Sequence, residues 1–395
     1  KNFFQNFLFI PSQQFKCGLY NSQFTNFLTN AIHVQDETYK FRNQDQSESS
    51  RRNYKDNSYS DQVFNTLLSS TDTILEIKSC LFKKCISQTY GAAIVFIKLK
   101  GSLSISTTSF ISCSSNRQSG SIYCNGIINI AEPTQYDYSF ALSCKLNYCC
   151  FNNCSGITKG FITKIIANTT DFNNSYALDC YNLEGSEGFT AIYFNSDNYN
   201  SKYVNLTKIR NGKNTGILHY VTNQAATQFH TYVEHTTNCI TYSYREKYSA
   251  NYVATYSYMN YYNNSISSLS SNDWGGLHFV RNCKVELSYC YISKVTLTSQ
   301  GVFRNDGGVF TISNTNVEYS SLPVFGSCTL KDVVTTLNVV THNINVDKDV
   351  ESCRYLIIPT PVFTDSMEFT HSDLFSASVT FSSTETFTYS KSFSN

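Results

Sequence analysis

Five aspartates, Asp171, Asp179, Asp197, Asp273 and Asp306, have the right side-chain type for acid–base work on a polysaccharide. Such chemistry needs two or three acidic groups converging from adjacent strands, or a calcium cluster with a basic residue beside it. None of the five has an adjacent acidic partner, and none recurs at a fixed offset. Asp306 falls within Arg304-Asn305-Asp306-Gly307-Gly308, a run that is first of all a turn signal. The seven histidines are scattered: His230 and His235 are five apart and His278 sits in an apolar stretch, with no HExxH and no zinc-type spacing. Cys80 with Cys85, and Cys149-Cys150 with Cys154, are close in sequence but have no His pair or second CxxC to complete a metal site. Glycine-rich phosphate loops and GxSxG are absent. The chain is therefore read as a non-enzyme with no cofactor and no metal.

The composition narrows the partners. A net charge of +1 with only 15% charged residues argues against nucleic acid and against an anionic membrane surface. The longest apolar stretch, 92–97, is too short to span a bilayer, so no direct membrane insertion is expected. Fifteen cysteines in 395 residues point to an oxidising, extracellular or cell-surface setting, with Cys80, Cys85, Cys113, Cys150 and Cys154 as disulfide or stacked-sulfur candidates. Cys328 and Cys353 are close enough to staple the end of the chain. The alternative is a protein whose thiols are buried and free. N-x-[ST] acceptors stand at Asn153, Asn168, Asn173, Asn205 and Asn263, and glycan on some of them is expected in that setting. The opening Lys1, without a signal-peptide pattern, reads as the start of a processed chain or ectodomain.

The elements that would carry these residues are strands. Tyr and Phe number 29 each, Thr, Asn and Ser abound, and Pro (5) and Met (2) are scarce, a bias toward pleated surfaces. Phe82 to Cys85, Phe110 to Cys113 and Phe151 to Cys154 repeat F-x-x-C, each followed by a polar turn and then Gly91, Gly120 or Gly160 opening a second apolar strand. A unit of about 25–30 residues made of short strands and Gly/Asn turns fits one coil of a right-handed parallel β-helix, a solenoid. Phe82, Phe110 and Phe151 would then stack as an aromatic ladder beside a sulfur row. A β-sandwich is the competing architecture. The expected organisation is an N-terminal cap and polar loop (1–62), the parallel β-helix (63–328), terminal strands (329–361) and a tail (362–395). Thr241–Tyr262 is rich in tyrosine, and Tyr256, Tyr258, Tyr261 and Tyr262 are the candidate ligand face, set against a plain half-exposed strand pair.

In the tail a phenylalanine falls on every sixth residue, at Phe363, Phe369, Phe375, Phe381, Phe387 and Phe393, in the unit F-[ST]-x-[ST]-x-x. In an extended strand all six rings share one side, which makes an assembly surface. The coils at 74–325 and this tail resemble the large β-helix surface proteins of trichomonad-type protists, themselves similar to the polymorphic outer-membrane protein repeats of bacteria. The resemblance implies a secreted or tethered ectodomain acting as an adhesin or coat protein. The expected function is an extracellular structural protein that self-assembles head to tail into a filament or surface coat, its tail strands packing on the next subunit. A glycan- or host-binding adhesin is the alternative, and a polysaccharide lyase or hydrolase a further one.

Overall fold

A computed structural model of the protein describes residues 8–10, 15–27, 31–35, 73–98, 100–126, 141–157, 160–183, 190–244, 251–266, 276–297, 302–318 and 324–335. Among them are thirty-one strands, no helix, and one continuous sheet system. Every strand pairing among the described residues is parallel. The all-β reading holds, and the long-range parallel pairing excludes the sandwich of antiparallel hairpins.

Each pass of the chain, one rung, runs through several ladders. The first ladder joins Ile32–Gln35, Ile94–Ile97, Ile122–Asn125 and the start of Thr163–Leu178, and ends through Gly276–Arg281, Phe303–Asp306 and Val324–Phe325. The second joins Phe15–Tyr20, Thr73–Lys78, Lys100–Ile111 and Ala141–Asn152, and ends through Lys284–Ser288, Val309–Ser313 and Cys328–Lys331. A third carries Gln23–Thr25 and Leu81–Lys83 onward to Tyr291–Ser293 and Asn316–Val317. A fourth, short one begins at Ile86–Ser87 and Ser114–Ser115. Strands at 8–10, 15–20, 23–25 and 32–35 thus pair into these ladders. The polar stretch 36–62, residues 336–361 with Cys353, and the tail 362–395 with its six phenylalanines lie outside the described residues.

Left-handed backbone turns between the ladders set the register. Between the second and third ladders stand Asn21, Ser79, Thr107, Tyr148, Asn174, Tyr203, Phe229, Tyr258, Tyr289, Asn314 and Asp332, all with φ between 46° and 58°. Between the third and fourth stand Asn26, Lys84, Ser112, Asn153, Asp179, Lys208, Glu234, Asn263 and Lys294, with φ from 50° to 58°. Even at these corners the amide stays in the ladder: Ser79 N donates to Ser106 O at 3.0 Å, and Lys84 N to Ile111 O at 2.9 Å. A left-handed residue breaks the in–out alternation of a strand. That explains F-x-x-C, in which Phe82 and Cys85 both point inward while Lys83 and Lys84 are exposed. The glycine that follows has its own reason. Gly160 has φ +67°, and a Cβ there would lie 2.5 Å from Thr163 O; at Gly120 it would lie 2.3 Å from Ser155 O.

Stacked rows of identical side chains build the core. Phe24, Phe82, Phe110 and Phe151 stack with centroids 4.7, 5.2 and 5.1 Å apart and planes within 8°. The predicted aromatic ladder is present and begins one rung earlier than the sequence suggested. Cys85, Cys113, Cys154 and Cys180 form the sulfur row beside it, each thiol donating to a carbonyl of the preceding rung (3.8, 3.5, 3.3 and 3.7 Å).

The disulfide expectation needs correction. Cys80, Cys85, Cys113, Cys154 and Cys328 are all free thiols, while Cys150 is disulfide-bonded. The reason is positional. The residue after a corner points inward, and on several rungs it is a small side chain that donates to a carbonyl, which a thiol does as a hydroxyl does. Cys80 and Cys149 occupy the slot that Thr108, Ser175 and Thr315 fill on other rungs. Burial pushes the Cys80 thiol up to about 11 and those of Cys283 and Cys290 up to about 12.

Candidate binding face

Few of the residues singled out by type gather in one place. Asp179 faces Arg210 at 3.5 Å and Asp306 faces Arg281 at 3.5 Å, both as surface pairs. Asp197 accepts from Asn168 Nδ2 at 3.3 Å, Asp171 lines an outer groove, and Asp273 lies outside the described residues. Among the described residues no three His, Cys, Asp or Glu side chains form a group that could hold a metal ion. Of the sequons, Asn153 and Asn263 are exposed on left-handed corners. Asn168 is half-buried and its Oδ1 accepts from Leu142 N at 3.0 Å; Asn173 and Asn205 are half-buried.

The tyrosine face is overturned as a unit. Tyr256 and Tyr261 are fully buried and cannot meet a ligand. Val253–Ser257 alternates, so Tyr256 points in; the left-handed turn at Tyr258 then resets the phase, and Tyr261 points in as well. Only Tyr258 and Tyr262 face outward, and Tyr262 OH accepts from Lys294 Nζ at 2.8 Å.

Inside these rungs is a polar aromatic band: Tyr199, His219, His230, Tyr232, His235, Tyr256 and His278. One pair there has the spacing of a nucleophile and its base, with Ser201 Oγ 2.7 Å from His230 Nε2. Its polarity is wrong for that role. Ser201 Oγ donates to Phe172 O at 2.7 Å, so Nε2–H donates to the serine, and Nδ1 accepts from Tyr232 OH at 3.2 Å. Both residues are fully buried, which leaves no path for substrate. Burial holds His230 well below the usual imidazole range, His219 and His278 down at about 3, and His235 at about 4. The band is a neutral core.

The distinctive outer feature is a column of rings on the corner between the second and third ladders. Tyr203, Phe229, Tyr258 and Tyr289 stack on consecutive rungs with centroids 5.0, 4.7 and 5.2 Å apart and planes within 19°. Each ring sits on a left-handed residue, a conformation that costs about 1–2 kcal/mol for a bulky side chain. Stacking, at about 0.5–1.5 kcal/mol per pair, offsets that cost. Two rungs before Tyr203 the same position holds Tyr148, which is 40% exposed, and between them stands Asn174. The column is interrupted there. A groove of about 360 Å³ opens at the interruption, lined by Lys145, Asn147, Asp171, Asn173, Asn174, Asn200, Lys202 and Tyr203.

Sequence reasoning found Tyr258 but missed Tyr203, Phe229, Tyr289 and the groove. The signal was available: each of these aromatics directly precedes a buried residue (Val204, His230, Met259, Cys290) at rung spacing. Compared with protein-family models, with curated proteins and with solved structures, the chain matches none. No helix among the described residues is long and apolar enough to cross a membrane.

Proposed function

We propose that the stacked ladders are a right-handed parallel β-helix and that the protein is an extracellular structural rod that associates end to end into a filament or surface coat. The carrying observation is the last described rung. Among the described residues, Val324–Phe325, Cys328–Lys331 and Val334–Thr335 each pair with a strand on one side only. That rung exposes Phe325, Leu330 and Val334, 45–47% each, an unpaired edge of the kind that recruits another strand. The first rung is the complementary acceptor: Phe15–Tyr20 and Gln23–Thr25 likewise pair only with the following rung among the described strands. Joining last rung to first is a heterologous contact, which propagates and does not close. The six repeating phenylalanines of the tail, read from the sequence as an assembly surface, belong to the same proposal.

Electron microscopy and light scattering of the purified full chain test it. Fibres or concentration-dependent oligomers are expected, reduced to single particles in Leu330→Glu/Val334→Glu and in a chain lacking residues 360–395. A wild-type chain that stays monomeric at high concentration, or variants that polymerise as before, would sink the proposal.

A further inference from the structure

We infer that the groove at the break in the aromatic column binds one ring of a saccharide, with Tyr203 as its stacking platform. This goes beyond a structural role, and it does not depend on end-to-end assembly. Within the column each ring covers its neighbour, so most ring faces are unavailable to a ligand. The two end rings each have a face with no ring of the column on it: beyond Tyr289 stands Asn314, and beyond Tyr203, whose other face Phe229 covers at 5.0 Å, stands Asn174, where the groove opens. Asn174 is drawn aside, its Nδ2 donating to Asn147 Oδ1 at 3.0 Å. Lys202 Nζ lies 4.8 Å from the Tyr203 centroid and 5.4 Å from that of Phe229. Since those rings are themselves 5.0 Å apart, the ammonium sits beside the pair and leaves the outer face of Tyr203 clear.

The chemistry of the walls selects the ligand. A sugar ring has flat C–H faces and an equator of hydroxyls. An aromatic face receives the first, and amides and charged groups receive the second. Around Tyr203 the groove supplies Asn173, Asn200, Asp171, Lys145 and Lys202. A volume of about 360 Å³ is of small-molecule size, at the low end of the usual range of about 300–1,000 Å³. Two lysines against one aspartate favour a saccharide that also bears a carboxylate.

Asn174→Tyr is the decisive variant. It places at this corner the residue already found there at Tyr148 and Tyr203, continues the column and fills the groove. The full-length protein would be titrated by saturation-transfer NMR with chitotriose, mannotriose, a trigalacturonate and sialyllactose. Binding of at least one probe is expected, the two acidic probes being the tighter. Asn174→Tyr and Tyr203→Ala should each weaken it by about tenfold or more, and Tyr289→Ala, at the far end of the column, by less than about twofold. Unchanged circular dichroism and melting curves for Asn174→Tyr show that the fold is kept. No binding by any of the four probes, or binding that survives Asn174→Tyr, would overturn the inference. Tighter binding of a tyrosine-containing peptide than of every sugar would do so as well.

Discussion

The rungs of residues 73–154 and those of residues 199–312 follow the same backbone path and fill it with different chemistry. In the first region the inward corner slots hold Cys80, Cys85, Cys113, Cys149 and Cys154, and the third ladder holds stacked phenylalanines. In the second, His230 and His235 occupy the same slots after the corner, and Tyr232 and Tyr261 take over the stack at 5.0 Å. The outer corner changes with them, from Ser79, Thr107 and Tyr148 to the stacked column of Tyr203, Phe229, Tyr258 and Tyr289. Register is therefore carried by the corner conformations and the parallel ladders, which are common to both regions, and not by one core composition. What the core composition does control is the response to acid.

The largest contrast is expected on acidification. His219, His230, His235 and His278 are buried and neutral, with folded pKa values pushed below the ordinary 6.5, to about 3 for His219 and His278 and about 4 for His235. A depressed histidine pKa means the unfolded chain takes up a proton that the folded chain refuses. Stability is thus full above about pH 6.5 and falls as pH drops from there toward the folded values. Each histidine contributes a slope of about 1.4 kcal/mol per pH unit, so four give about 5.6 kcal/mol per pH unit, enough to open a marginally stable region by pH 5. Amide hydrogen exchange at pH 7 and pH 5 should show residues 199–312 losing protection while residues 73–154 keep it. Equal loss in both regions would dissolve the distinction. Next in size is Phe110→Ala, at the centre of the phenylalanine stack, which should cost about 3–5 kcal/mol in urea unfolding and leave the acid response of the histidine band unchanged.

Much of the first region was legible in the sequence because its rows repeat one residue type: F-x-x-C followed by Gly marks ladder, corner and close approach in one string. The second region uses the same corners with Tyr-Met, Phe-His and Tyr-Cys in place of Ser-Cys, so its rhythm survives only as backbone conformation, which side-chain type does not encode. For the same reason the tyrosines of 256–262 looked like one face. A left-handed residue at Tyr258 shifts the alternation, and no periodicity argument sees it without the register. The cysteine count misled in the opposite direction. Thiols were read as cross-links by their number, whereas Cys80, Cys149 and Cys290 share a slot with threonine and serine, and Cys85, Cys113, Cys154 and Cys180 line up as a row of free thiols.

That shared slot gives a third test. If the rows of the first region rest on packed thiols and not on bridges among them, thiol reagents should label Cys80, Cys113 and Cys154 only after unfolding. Rapid labelling of the native protein at these positions would contradict the packing. A fourth test isolates one histidine. Neither ring nitrogen of His219 has a hydrogen-bond partner, and its ring meets Tyr199 edge-on at 4.6 Å. His219→Leu removes an unsatisfied polar group, so it should be neutral or stabilising by about 1 kcal/mol at pH 7 and should reduce the acid slope by one proton.

The smallest expected effect is on the outer column, where two opposing terms nearly cancel. Tyr258 stacks on Phe229 at 4.7 Å and on Tyr289 at 5.2 Å, contacts worth about 0.5–1.5 kcal/mol each when well packed and less where half-exposed. It holds a left-handed backbone, φ 57°, that asparagine adopts at lower cost, as Asn21, Asn174 and Asn314 do at the same corner. Tyr258→Asn therefore loses stacking and relieves backbone strain, and its unfolding free energy should stay within about 1 kcal/mol of the original. Tyr258→Ala loses the same contacts without asparagine's tolerance of the turn, so it should be the less stable of the two. If asparagine were the more damaging substitution, ring stacking and not corner conformation would be what holds this edge, and the account of how the two regions share one path would have to be reversed.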